Sequence, residues 1–161
     1  MAETKAKYGT NNQAITVTLD SLANDAKRES TAVDNSTNCF FDALVQVKIA
    51  TNTGADSTGD KCVYVYAYGT SDGGAAYSVN ASGSDAAFGT DPQQLANGRM
   101  IGVIYAPMQN EIYKSDLMSI AGAFGGFLPQ RWGIIVHNRT GQTLKSSDCS
   151  ACYQGLSTQA S

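Results

Sequence analysis

The stretch that most restricts the fold is FFDALVQVKIA, residues 40–50. In an extended chain Phe41, Ala43, Val45, Val47 and Ile49 fall on one side. Asp42, Gln46 and Lys48 fall on the other, together with Phe40 and Leu44. A period of two is what a half-buried strand requires; a helix would scatter Val45, Val47 and Ile49 around its circumference. CVYVYAYG, residues 62–69, repeats the pattern, with Val63, Val65 and Ala67 on one face and Tyr64, Tyr66 and Tyr68 on the other. ITVTLDSLA, residues 15–23, does so again through Ile15, Val17 and Leu19.

Further strands are expected in RMIGVIYAPM (99–108) and EIYKSDLMSI (111–120), joined near Pro107 to Asn110. RWGIIVHNRTGQTLK (131–145) reads as a hairpin with Trp132, Ile134 and Val136 inward and a tight turn over Asn138 to Gly141. CSACYQGLST (149–158) reads as the last strand, after the glycine-punctuated connection AGAFGGFLPQ. Seven or eight short strands and no long helix predict an all-β fold, an antiparallel β-sandwich of jelly-roll type. The 161 residues suffice for one domain with a real core. Residues 1–13 are polar and aperiodic and read as a flexible arm ahead of a domain over 14–161. Residues 69–98 form one long loop, a length that usually marks function or an interface. Within it DPQQLANG suits one helical turn, with Asp91 as N-cap and Gly98 past the end.

Charged residues make up 16% of the chain, against about 25% in ordinary soluble domains. The polar surface therefore comes from Ser, Thr, Asn, Gln and Gly, which favours strands and turns over exposed helices. Fourteen acidic residues against eleven basic ones leave a net charge of −3, and no basic run exceeds Lys27-Arg28. Nucleic acid is excluded as a partner on that ground. MAETKAKYGTNNQ has no apolar core, and no stretch reaches the length of a membrane span. The expectation is synthesis in the cytoplasm, with the four cysteines starting out reduced and Cys39 and Cys62 serving as small core residues.

Candidate chemistry is sparse. Cys149-Ser-Ala-Cys152 has the spacing of half a zinc site or a redox pair, but no further ligands are spaced to complete it and no helix follows. His137, the single histidine, lacks a nucleophile motif to serve. Glu29, Asp34 and Asp42 are carboxylates whose spacing brings no two across a cleft. No catalytic residue, metal ligand or cofactor-binding residue is assigned, and the chain is read as a non-enzyme. The tyrosine stripe Tyr64, Tyr66 and Tyr68 admits three uses: core filling, a protein interface, or stacking against glycans. RESTAVDNSTN (28–38) reads as a strand edge or corner in which Arg28 pairs with Glu29 while Asp34, Asn35, Ser36 and Thr37 cap turns.

RESTAVDNSTNCFFDALVQVKI and FGGFLPQRWGIIVHNRTGQTL, in that order and about 80 residues apart, resemble a family of small virion proteins of tailed bacteriophages. The resemblance spans about Ile15 to Tyr153 and rests on those two segments; residues 54–98 and the Cys-x-x-Cys lie outside it. It implies a β-sandwich assembly unit of the virion, with capsid decoration, or cement, as the expected role. The implied partners are copies of the chain itself, as a trimer or dimer, and the major capsid protein or another virion protein. A tail-associated or receptor-recognition module that binds carbohydrate is the alternative. Tyr64, Tyr66, Tyr68, Arg28, Glu29 and Asp34 are the residues expected at the interface.

Overall fold

The structure, a computed structural model, describes residues 4–54, 56–89 and 92–160. Twelve strands form among them. The first six are β1 (Thr4–Tyr8), β2 (Gln13–Ile15), β3 (Lys27–Glu29), β4 (Val33–Asp34), β5 (Asp42–Ala50) and β6 (Cys62–Thr70). Then come β7 (Ala86–Ala87), the short helix α1 (Pro92–Ala96), β8 (Arg99–Tyr105), β9 (Ile112–Lys114) and β10 (Met118–Ser119). Helix α2 (Ile120–Ala123), β11 (Arg131–Arg139) and β12 (Ser150–Ala160) complete the chain.

All pairings are antiparallel. Short strands share an edge of a longer neighbour: β1 and β2 both lie on β12, β3 and β4 on β11, and β9 and β10 on β5. Merging these pairs and setting aside the small strand β7 leaves eight strands. In chain order they build one sheet as first, eighth, third, sixth and the other as second, seventh, fourth, fifth. Successive strands thus wind between two sheets in the jelly-roll order, two nested Greek keys. The fold is an antiparallel β-sandwich, as the alternation predicts.

The core follows from the period of two. Ala43, Val45, Val47 and Ile49 of β5 face Val63, Val65 and Ala67 of β6 and Trp132, Ile134 and Val136 of β11, all at most 1% exposed. Trp132 meets Tyr153 of the opposite sheet edge-to-face, with ring centroids 5.2 Å apart. Phe41 departs from the expected face and is 40% exposed, since it precedes the first residue of β5.

Four expectations are corrected. Of the strand expected over residues 15–23 only Ile15 lies in a strand, β2; residues 16–23 are irregular, although Ile15 and Leu19 are buried. Residues 4–8 are an edge strand rather than a free arm, paired with β12 from Thr4 opposite Ala160 to Tyr8 opposite Leu156. All five are exposed, so no apolar face marks the strand in the sequence. Residues 131–145 are not a hairpin. The turn exists, with Gly141 at φ 82°, but the chain then crosses to the other sheet, where β12 pairs with β5. Buried Asn138 holds the crossing by donating from Nδ2 to the carbonyls of Leu22 (2.9 Å) and Gln142 (2.8 Å). Cys39 is exposed at a turn with φ 51°, not a core residue, while Cys62 is half-buried. Helix α1 and the turn at Gly98 form as expected, whereas Asp91, the expected N-cap, lies outside the described residues.

Trp132 is fully buried, and its indole N–H has no acceptor among the described residues. Trp132→Ala is expected to cost about 3–5 kcal/mol through the cavity it leaves. Trp132→Phe keeps a ring against Tyr153 and removes the unpaired donor, so it should cost less than half as much. Urea unfolding of the two variants checks both.

Candidate interaction surface

The residues expected at an interface divide sharply once placed. Arg28 and Glu29 alternate across β3 and do not pair with each other. Arg28 Nε donates to Asp85 Oδ1 at 2.6 Å, and its other nitrogen reaches the Asp85 carbonyl at 3.0 Å. Glu29 is 4% exposed and accepts hydrogen bonds from the Ser82 backbone N–H (2.7 Å) and hydroxyl (2.8 Å). Both side chains therefore tie the segment after β6 to β3, Glu29 from the outer face of the sheet and Arg28 from the opposite side of the strand.

That segment is a cap and not an open loop. Its Ala81, Phe88 and Leu95 pack with Tyr68 and Ile135 into a second apolar cluster, flanked by Tyr66, Tyr77 and Val79. Tyr68 is completely buried; its hydroxyl donates to the Ser30 carbonyl at 2.6 Å, and its ring meets Tyr77 edge-on at 5.4 Å. Burial pushes its phenol well above the ordinary range. The tyrosine stripe is thus divided: Tyr68 is core, Tyr66 is half-buried at the edge of the cap, and Tyr64, also half-buried, lies beside His137 outside that cluster. No short-range sequence signal separates the three, because the cover arrives from residues 77–95.

Asp34 keeps its expected role as a turn cap and adds an ion pair not expected from the sequence. Its Oδ1 accepts from the Ser36 N–H at 2.8 Å, a turn cap, and Oδ2 pairs with Arg131 across β4 and β11 at 3.0 Å. The Ser36 hydrogen bonds and then Arg131 hold its carboxyl below the usual range. Asn35 is buried and clamps Phe40 twice, donating to its carbonyl at 2.8 Å and accepting from its N–H at 3.0 Å. The polar half of the stretch that begins at Arg28 is therefore a joint made of local and lateral hydrogen bonds, and β5 starts directly after it.

The uncovered apolar surface lies elsewhere, along one flank of the sandwich. There β8 ends one sheet, pairing with β6 alone, and β9 and β10 end the other, pairing with β5 alone, among the described residues. The two edges close against each other: a Cβ on Gly102 of β8 would collide with Met118 of β10. Met100 (55% exposed), Val103, Tyr105 (61%) and Ile112 fall on these strands, and Met108 and Leu117 (65%) on the connections between them. Edge strands normally carry a charge or proline that blocks further pairing; β8 has a single charge, Arg99 at its start, and no residue from Met100 to Tyr105 is charged or a proline. The sequence signal was present in RMIGVIYAPM, which is apolar at consecutive positions where a strand with one wet face would alternate.

Asp85 fixes the cap through one ion pair, and this makes the cap acid-sensitive. Burial opposes ionisation of Asp85, but hydrogen bonds from Arg28 and Thr18 outweigh it and hold the carboxyl at about 2. A carboxyl depressed in the folded state adds stability above its unfolded pKa of about 4 and loses it as pH falls toward the folded value. The wild type should lose on the order of 1–2 kcal/mol between about pH 4 and pH 2 that Asp85→Asn does not lose. Urea midpoints at a series of pH values measure the difference.

Among the described residues no helix is long and apolar enough to cross a membrane, and no cluster of three or more potential metal ligands occurs. Comparison of the chain with protein-family models, with curated proteins and with solved structures returns no match.

Proposed function

We propose that the chain is a non-enzymatic structural protein of a tailed-bacteriophage virion, a capsid decoration subunit that binds its own copies and the capsid lattice. The observation that carries this reading is the exposed apolar flank along β8, β9 and β10, charged only at Arg99 and Lys114 within those strands. Exposed apolar side chains concentrated on one side of a domain mark a surface that another protein covers. An interface of standard size takes about 800 Å² from each partner, about a tenth of the 8225 Å² that the chain exposes.

The two segments that resemble virion proteins support the same reading through their place in the fold. One contains β5 and the other β11, the strands paired on both sides in the middle of the two sheets. They supply the shared scaffold, while the cap over residues 69–98 lies outside the resemblance. Decoration needs repeated adhesion: several weak contacts per oligomer add through effective concentration once one of them is made. Closed symmetry, a trimer or a dimer, suits repeated sites on a lattice.

The test combines light scattering after size exclusion with binding to virions stripped of the protein. Wild type is expected to form a closed oligomer and to rebind the particles. Val103→Glu with Leu117→Glu places charge on both edges of the flank and should give a folded monomer with at least tenfold weaker rebinding, about the 1.4 kcal/mol or more that a desolvated charge opposes. A wild-type monomer that binds no virion surface overturns the proposal.

A further inference from the structure

The outer face of the β3–β11–β6 sheet is capped over only half its length. Where the cap stops, at Leu95 and Ala96 of α1, a hollow of about 310 Å³ opens. Tyr66 and His137 line it from the sheet, Leu95 from the cap, and Lys27, Asp25 and Arg139 from the far side. A second hollow of about 230 Å³ adjoins it and shares Asp25 and Arg139. Its walls are polar, with Asn24, Thr58 and Asp60 among them.

The ridge between the hollows is fixed. Arg139 donates from NH1 to Asp25 at 2.9 Å and from Nε to Asp60 at 3.1 Å. The surrounding loops are tied as well. The Gly141 N–H bonds Asn24 Oδ1 at 2.8 Å, the Thr58 N–H bonds the Thr140 carbonyl at 2.8 Å, and the Asp25 N–H bonds the Asn138 carbonyl at 2.8 Å. Lys27, opposite His137 in the β3–β11 register, has no ion pair among the described residues. His137 is held at about 4 by burial and then by Lys27 and Arg139, against the pull of Asp25 and Asp60. Near neutral pH it is an uncharged imidazole with one donor and one acceptor.

We propose that these two adjoining hollows form a binding site for an oligosaccharide, with one sugar against Tyr66, His137 and Leu95 and the next over the Asp25–Arg139–Asp60 ridge. The chemistry of the two halves differs in the way a glycan needs. A pyranose has an apolar C–H face, which an aromatic and aliphatic wall accepts. Its neighbouring hydroxyls need donors and acceptors at fixed spacing. A carboxylate beside a guanidinium supplies both, as charge-assisted hydrogen bonds. Lys27 adds an ammonium at the rim for a hydroxyl or an acidic substituent. The site lies on the outer face, where Tyr66 is the register partner of Met100 on β8, and does not rest on the assembly role.

Tagged protein is applied to a printed array of neutral and acidic glycans, and the strongest oligosaccharide is then titrated in solution. Because the chain has one histidine, the imaging of binding reduces to one imidazole signal in a ¹H–¹³C spectrum. A saturable array signal and a saturable shift of His137 are expected. Lys27→Met and Asp25→Ala should each weaken binding about tenfold, the order expected for one lost charge-assisted hydrogen bond. Leu117→Glu, beside β10 of the other sheet and lining neither hollow, should bind as wild type does. The absence of any saturable array signal overturns the proposal. So does a bound glycan that leaves the His137 signal unmoved, a result the wild type alone decides should a variant fail to fold.

Discussion

The contact on which the rest depends is the one between the two sheets at Trp132 and Tyr153. Each ring belongs to a strand in the interior of its own sheet, and each sheet covers the other's apolar face. The valines of β5 and β6 pack around that seat and against each other, and each sheet buries its apolar face only against the other. The indole fills the volume at the expense of an unpaired N–H. Ring packing outweighs a donor left without an acceptor, because an aromatic of that size buries far more than one hydrogen bond is worth.

Around this core the polar groups act as ties between distant parts of the chain. Glu29 is buried, yet both of its oxygens are satisfied by Ser82, so its desolvation is offset. Asn138 does the same for the crossing from β11 to β12, using its amide and its carbonyl together. These ties explain how a chain with few charges keeps long connections in place: each charge or amide that is buried fixes a loop. They also leave the ends of the sandwich rigid, which is where the hollows around Arg139 lie.

Much of the architecture was legible in the sequence, and the reason is local. Side chains of a strand alternate by geometry, so Val45, Val47 and Ile49 announce a buried face without reference to any neighbour. The same logic located Trp132, Ile134 and Val136. It failed at β1, where both faces are wet and alternation carries no apolar mark, and at Asn138 to Gly141, where a turn was read as half of a hairpin. A turn states that the chain reverses; it does not state which sheet receives it.

The sequence by itself determined the strands, the inward faces and hence the two-layer fold, because those follow from side-chain polarity at a spacing of two. Tertiary structure alone decided which outward residues stay outward. Arg28 meets Asp85 from 57 positions away, and Asn24 meets Gly141 from 117 away. Tyr64, Tyr66 and Tyr68 are equivalent in the chain and differ only in what folds over them. Burial of an outer face is a property of partners brought together in space, and the period of a strand holds no record of them.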